Sequence, residues 1–86
     1  MEPYSLRFKS SVDKDLRRIP AKSRSRCLER IAELRLTARP VGARQVVGGE
    51  RTYRLRVGVH RVIHQVDDVE RAVTVVYVRH RKDAYR

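Results

Sequence analysis

Hydrophobic and polar residues alternate in the first segment of the chain. Tyr4, Leu6 and Phe8 are separated by single polar residues, the period of two that is typical of a strand with one buried face. The pattern predicts a first strand over residues 3–8.

The next two segments have the helical period. Val12, Leu16 and Ile19 recur at intervals of four and three residues until Pro20, and two serines before Val12 are suitable N-caps. From Ala21 a second apolar stripe follows, made of Cys27, Leu28, Ile31 and Leu34 and ending near Thr37. The sequence therefore predicts a helical hairpin joined at Pro20.

After Pro40 the pattern changes to strands. Glycines and an Asp-Asp pair separate four runs that are predicted as strands: residues 43–47, 52–57, 61–66 and 72–78. The last run is almost continuously apolar, which favours a central strand covered on both faces. The order predicts an α+β fold, in which the helical hairpin packs on one face of a mainly antiparallel sheet of four or five strands.

Length and composition restrict the classes of protein. The chain has 86 residues and one cysteine, so we expect a single domain over residues 1–86 without an intrachain disulfide. Cys27 lies in the apolar stripe and is predicted to be a core thiol. No apolar run approaches the length that spans a bilayer. These features predict a cytoplasmic protein with no membrane association.

The net charge of the chain indicates the kind of partner that it binds. The formal net charge is +11, and 17 of the 21 basic residues are arginine. The guanidinium group binds phosphate through two hydrogen-bond donors at once, and it stays charged over the whole pH range in which proteins are folded. A polyanionic partner is expected, either nucleic acid or an acidic protein segment.

Three arginines are predicted to converge. If the apolar residues of run 52–57 face the helices, Arg54 and Arg56 point away from them, about 7 Å apart along the strand. Arg61 lies on the same side if Val62 and Val66 are core residues. The alternative is a solvated sheet face with scattered charges, but like charges on neighbouring strands repel, which favours a bound anion.

The histidines do not predict a metal site. His60 and His64 are four residues apart, which on a strand separates them by about 13 Å. His64 is predicted to be a hydrogen-bonded core residue, and His80 is a candidate acid or base. No phosphate-binding loop, Ser-His-Asp set or carboxylate pair is present, which argues against nucleotide-driven or hydrolase chemistry of those kinds. No metal or cofactor is expected.

Three segments, in this order and with the predicted layout, resemble the RelE/ParE toxin superfamily. They are Tyr53–Gly58, Arg61–Val66 and His80–Tyr85. The resemblance covers almost the whole chain. It implies the toxin of a type II toxin-antitoxin system that cuts mRNA in the ribosomal decoding site, without a metal, by attack of the RNA 2′-hydroxyl on the adjacent phosphate.

The resemblance also assigns residues and partners. It implies catalytic roles for Arg54, Arg56, Arg61, Arg81 and Tyr85, with His80 as a candidate acid or base. RNA contacts are expected from the first three of these and from Arg51, Arg79 and Lys82. The implied partners are a cognate antitoxin, the ribosome and mRNA, with operator DNA reached only through the antitoxin complex.

One departure from the family pattern leaves the proton chemistry open. The best-known RelE pattern has lysines where Arg54 and Arg56 stand, and a guanidinium exchanges protons poorly near neutral pH. Tyr85 or His80 could supply the base, or the ribosome could help. Two other functions stay open, a ParE-like inhibitor of DNA gyrase without nuclease activity and a non-catalytic RNA-binding module.

Overall fold

A computed structural model describes residues 3–82 of the chain. It has two helices and five strands in this order: β1 (Ser5–Phe8), α1 (Val12–Arg17), α2 (Ala21–Glu33), β2 (Ala43–Gln45), β3 (Thr52–Val57), β4 (His60–Asp67) and β5 (Ala72–His80). The helix break falls at Pro20, as predicted, because proline cannot donate the helical hydrogen bond. Gly58, with a φ of 61°, makes the tight turn between β3 and β4.

The strands form one mixed sheet in the order β1-β5-β4-β3-β2. β1 is parallel to β5, and the other neighbours are antiparallel. The fold class predicted from the sequence is therefore confirmed. The expectation that the last strand is covered on both faces is wrong, because both helices pack on the same side of the sheet.

The hydrophobic core lies between that side of the sheet and the helices. Its fully buried members include Cys27 and Ile31 of α2, Leu55 of β3, Val62 of β4 and Val75 of β5. Burial raises the pKa of the Cys27 thiol, which agrees with the prediction of a core cysteine. Neither of the two helices in residues 3–82 lies over the opposite side of the sheet, and we call that side the uncovered face.

Arg24 ties the two helices together. Its Nε donates a hydrogen bond to the carbonyl of Leu16 at 2.8 Å, and its Nη2 donates one to the carbonyl of Ile19 at 3.2 Å. The carbonyls at the end of a helix have no partner within the helix. Arg24 therefore satisfies the end of α1 at the Pro20 corner.

His64 is a buried, hydrogen-bonded histidine, as predicted. Its side chain is fully buried, its Nε2 lies 3.0 Å from the carbonyl oxygen of Ala38, and its ring stacks on Tyr53. Burial lowers the pKa of His64, so the neutral ring donates from Nε2. The contact fastens the segment after α2 to the sheet.

We expect Arg24→Leu to lower the free energy of unfolding by about 1–3 kcal/mol, because two carbonyls lose a charged donor. Urea denaturation measures the change. Arg26→Leu, on the exposed side of α2, is the matched control and should change stability by less than about 0.5 kcal/mol. Equal losses in both variants would contradict the role of Arg24.

The buried His64 should make the protein less stable in acid. Its pKa is lowered by folding from the ordinary value of 6.5, so below that pH the unfolded chain takes up a proton that the native chain does not. The free energy of unfolding should fall as the pH drops below 6.5, and the loss should end once the native ring itself protonates.

His64→Gln keeps an N–H donor but does not titrate, so its pH dependence should be shallower. His60, whose pKa burial also lowers, should leave a residual slope in the variant. Urea denaturation of both proteins between pH 5 and pH 8 makes the comparison. Parallel stability curves would show that His64 is not the source.

Candidate nucleic-acid interface

A β-bulge in β5 decides which of its side chains reach the uncovered face. Ile63 of β4 is opposite Tyr77 of β5, whereas the next residue, His64, is opposite Val75. Val76 is therefore an extra residue without a partner on β4. One extra residue reverses the alternation of the side chains beyond it, so Tyr77 and Arg79 point to the uncovered face.

The bulge completes a row of three arginines across three strands. Arg56 of β3 is directly opposite Arg61 of β4, which is directly opposite Arg79 of β5. Neighbouring strands lie about 4.8 Å apart. We call these three residues the first arginine row, and it brings together three of the residues that the sequence singled out.

A second row lies one step along the strands. Arg44 of β2 is opposite Arg54 of β3, which is opposite Ile63, which is opposite Tyr77. Arg44 was not among the residues predicted from the sequence. Its position between Ala43 and Gln45 in a three-residue strand gives too short an alternation to assign a face, and only the register with β3 identifies it.

The two rows differ from an ordinary solvated surface in their burial. Arg61 is only 7% exposed and Ile63 only 6%, whereas Arg56 and Arg79 are exposed. Arg44, Arg54 and Arg56, together with Gly42, line a depression of about 520 Å³. A cation withdrawn from water, as Arg61 is, interacts strongly with an incoming anion. The surface is suited to holding a phosphate.

Several carboxylates are engaged elsewhere in the fold. Asp13, Glu33 and Glu70 pair with Arg17, Arg30 and Arg7, respectively. Asp68 receives two hydrogen bonds from Arg39 and one from Tyr4, which lower its pKa to about 2. These acidic groups neutralise arginines outside the two rows.

The other predicted contacts lie apart from the rows. Arg51 precedes β3 at the far end of the sheet, where its carbonyl accepts the Val66 N–H. Arg81 and Lys82 follow β5, and the Arg81 N–H donates to the carbonyl of Val59 in the β3–β4 turn. The backbone of Arg81 therefore lies beside the β3–β4 turn, next to the first arginine row. Tyr85 lies outside the described residues.

His80 lies on the side of the sheet opposite to the arginine rows. It is in register with His60, and the two rings meet edge to face with centroids 5.6 Å apart. Its Nδ1 accepts the Lys82 N–H at 3.2 Å. Burial and the neighbouring His80 lower the pKa of His60. A role for His80 as acid or base stays a prediction.

Among residues 3–82, no three His, Cys, Asp or Glu side chains come together as a metal-binding group. No helix in that part of the chain is both long enough and apolar enough to cross a bilayer.

Comparison with known proteins identifies a family. A family model described as the ParE toxin of type II toxin-antitoxin system, parDE, matches residues 6–85. The toxin RelG of Mycobacterium tuberculosis is 30% identical to the chain over an alignment of 88 positions, which covers 98% of each protein. The match therefore extends over both the helices and the sheet.

Solved structures share the fold. The RelE of an archaeal RelE-RelB complex from Pyrococcus horikoshii is 24% identical and superposes with a TM-score of 0.83, over 95% of this chain and 99% of that one. A chain of the RelB-RelE antitoxin-toxin complex from Methanococcus jannaschii is 25% identical with a TM-score of 0.75, over 92% and 94% of the two chains. The first structure is a RelE-RelB complex, and the second is an antitoxin-toxin complex of RelB with RelE.

Arg56→Gln should weaken binding to single-stranded RNA without weakening the fold. The substitution removes a like charge directly opposite Arg61, so we expect the free energy of unfolding to stay level or rise by roughly 0.2–1 kcal/mol. The slope of log affinity against log salt should become shallower by about 0.7, the value for one phosphate contact. Urea denaturation and fluorescence anisotropy over a salt series measure the two effects.

Arg26→Gln removes one exposed charge from α2 and is the control for net charge. It should leave the salt slope closer to that of the native protein. A clear loss of stability in Arg56→Gln would mean that this guanidinium holds the fold together and is not held in place for a ligand.

Proposed function

Because this chain belongs to the RelE/ParE superfamily of toxins from type II toxin-antitoxin systems, we propose that it is a ribosome-dependent mRNA endonuclease. The observation that carries the proposal is the first arginine row, which gathers Arg56, Arg61 and Arg79 on the uncovered face. Such a surface matches the charge that develops on a phosphate during RNA cleavage.

In the proposed reaction the 2′-oxygen of the RNA attacks the adjacent phosphorus. The new P–O bond forms as the bond from phosphorus to the 5′-oxygen of the next nucleotide breaks, which leaves a 2′,3′-cyclic phosphate and a 5′-hydroxyl. One proton leaves the 2′-hydroxyl, and one is delivered to the 5′-oxygen. The reaction needs no metal or cofactor.

We assign the arginines to electrostatic stabilisation. Arg61 is nearly buried, and Ile63 is buried beside it. The Arg61 side chain therefore has little freedom to rearrange. Arg54 and Arg56 flank it from β3 and would contact the non-bridging oxygens as their charge grows. Arg81, which follows the end of β5, would contact the substrate from the edge of the same surface.

Proton transfer requires other groups, because arginine does not give up its proton near neutral pH. Tyr85 carries this role in the proposal, either by itself or with a ribosomal group. His80 is a weaker candidate, because its ring lies on the opposite side of the sheet. The nucleophile itself belongs to the RNA.

A cognate antitoxin is the proposed partner in the resting state. The net charge of +11 favours an acidic segment, which would cover the arginine rows and so exclude RNA. The antitoxins in the solved structures of similar toxins support this partner. Operator DNA would be contacted only through the antitoxin complex.

One observation favours a second function. The family model that matches residues 6–85 is described as a ParE toxin, and resemblance to the ParE branch implies inhibition of DNA gyrase. The two functions share this fold. They differ in product, since a gyrase inhibitor would leave mRNA intact.

Cleavage of a defined mRNA in a purified translation mixture tests the proposal. The native chain should cut ribosome-bound mRNA, and Arg61→Ala should cut it about 10²–10³-fold more slowly, the usual effect of removing one preorganised donor. Arg81→Ala and Tyr85→Phe should also slow the cut. Free mRNA in a parallel reaction should stay intact.

Arg26→Ala is the matched control, because it removes an exposed arginine from α2, away from the two rows. It should cut at the native rate. If the folded native chain makes no cuts, the nuclease proposal is wrong, and inhibition of DNA supercoiling by gyrase becomes the assay that decides the second function.

A further inference from the structure

Arg79 and Tyr77 form a stacked pair on the uncovered face. The central guanidinium carbon of Arg79 lies 4.2 Å from the centre of the Tyr77 ring, well within the range of a cation–π contact. Tyr77 is half-buried, whereas Arg79 is exposed. The ring therefore supports the guanidinium from the sheet side, and the outer side of the guanidinium faces solvent.

This pair differs from another arginine-tyrosine contact in the same fold. Arg39 lies 5.1 Å from the Tyr53 ring, but its donors bind Asp68 and the Tyr53 hydroxyl. Arg39 thus has a structural role. In the described part of the chain Arg79 makes no ion pair and no side-chain hydrogen bond, so its stacked position does not fasten one element to another.

The Arg79–Tyr77 pair lies beside the other two residues of the first arginine row, Arg56 and Arg61. Arg79 is directly opposite Arg61, one strand spacing, or about 4.8 Å, away. A nucleotide with its phosphate on Arg56 and Arg61 would bring a neighbouring base over β5. Guanidinium planes and aromatic rings are the surfaces on which proteins stack splayed bases.

We propose that Arg79, supported by the Tyr77 ring, is the stacking platform for a nucleobase of the mRNA beside the phosphate that is cut. This inference rests on the nuclease function proposed above and adds a determinant of substrate recognition to it. Tyr77 is a positioning residue that acts through Arg79. Because stacking strength follows the area of the base, the platform accepts all four bases and favours purines.

Binding of a modified mRNA tests the platform separately from catalysis. A 2′-deoxynucleotide at the cut site removes the nucleophile, so the affinity of the protein for a ribosome programmed with this mRNA can be measured without cleavage. Tyr77→Leu and Arg79→Lys should each weaken binding about tenfold, within the range known for one stacked base. Tyr77→Phe should restore native affinity, because the ring and not the hydroxyl holds Arg79.

The change of substrate makes the test specific. An mRNA with an abasic nucleotide at the stacking position should bind native protein and Tyr77→Leu equally, which a general defect in folding would not produce. The double variant Tyr77→Leu/Arg79→Lys should bind no more weakly than either single variant, since both remove the same platform. Tyr4→Leu removes a ring that contacts Arg71 at the far end of β5 and should bind as the native chain does.

With cleavable mRNA, Tyr77→Leu and Arg79→Lys should each show a higher KM and an unchanged kcat. A loss of kcat in Tyr77→Phe would overturn the platform and assign the hydroxyl to proton transfer. Native affinity in Tyr77→Leu would overturn the platform and leave the nuclease proposal standing. If the native chain neither binds programmed ribosomes nor cuts their mRNA, both proposals are wrong.

Discussion

The unpartnered residue Val76 is the constraint on which the uncovered face depends. Strand side chains alternate strictly, so without the bulge Tyr77 and Arg79 would follow Val73 and Val75 toward the helices. The extra residue instead directs Val78 to the core and Arg79 to the row with Arg61. Bulges are frequent beside functional sites because they change the direction of a side chain in this way.

The arginine rows are costly to the fold, and other parts of the chain offset that cost. Arg56 and Arg61 face each other at close range, and Arg61 is almost removed from water. The opposite side of the sheet has the favourable contacts: a continuous apolar core, the bonds of Arg24 to the end of α1, and the link from His64 to Ala38. Stability therefore comes from one face of the sheet, and the candidate chemistry is on the other.

Local patterns predicted this architecture well where they were long enough. The apolar stripes on either side of Pro20 located both helices, and the alternation from Tyr53 to Val57 located Arg54 and Arg56. The same reasoning was wrong for β5. Its adjacent valines suggested that both faces of the strand are covered, but only one face is covered and the run of valines includes a bulge. It missed Arg44 and Tyr77, whose significance comes from register with distant strands, and register is a property of the folded sheet.

The choice of arginine over lysine follows from the burial of position 61. A lysine withdrawn from water tends to lose its proton, because burial disfavours the charged form, whereas a guanidinium stays charged. A nearly buried cation opposite Arg56 must therefore be arginine if its charge is to be permanent. Permanent charge and proton exchange exclude each other in one side chain near neutral pH. A surface made of such groups can stabilise a charged transition state and stack bases, and its proton transfers must come from residues or molecules outside the two rows.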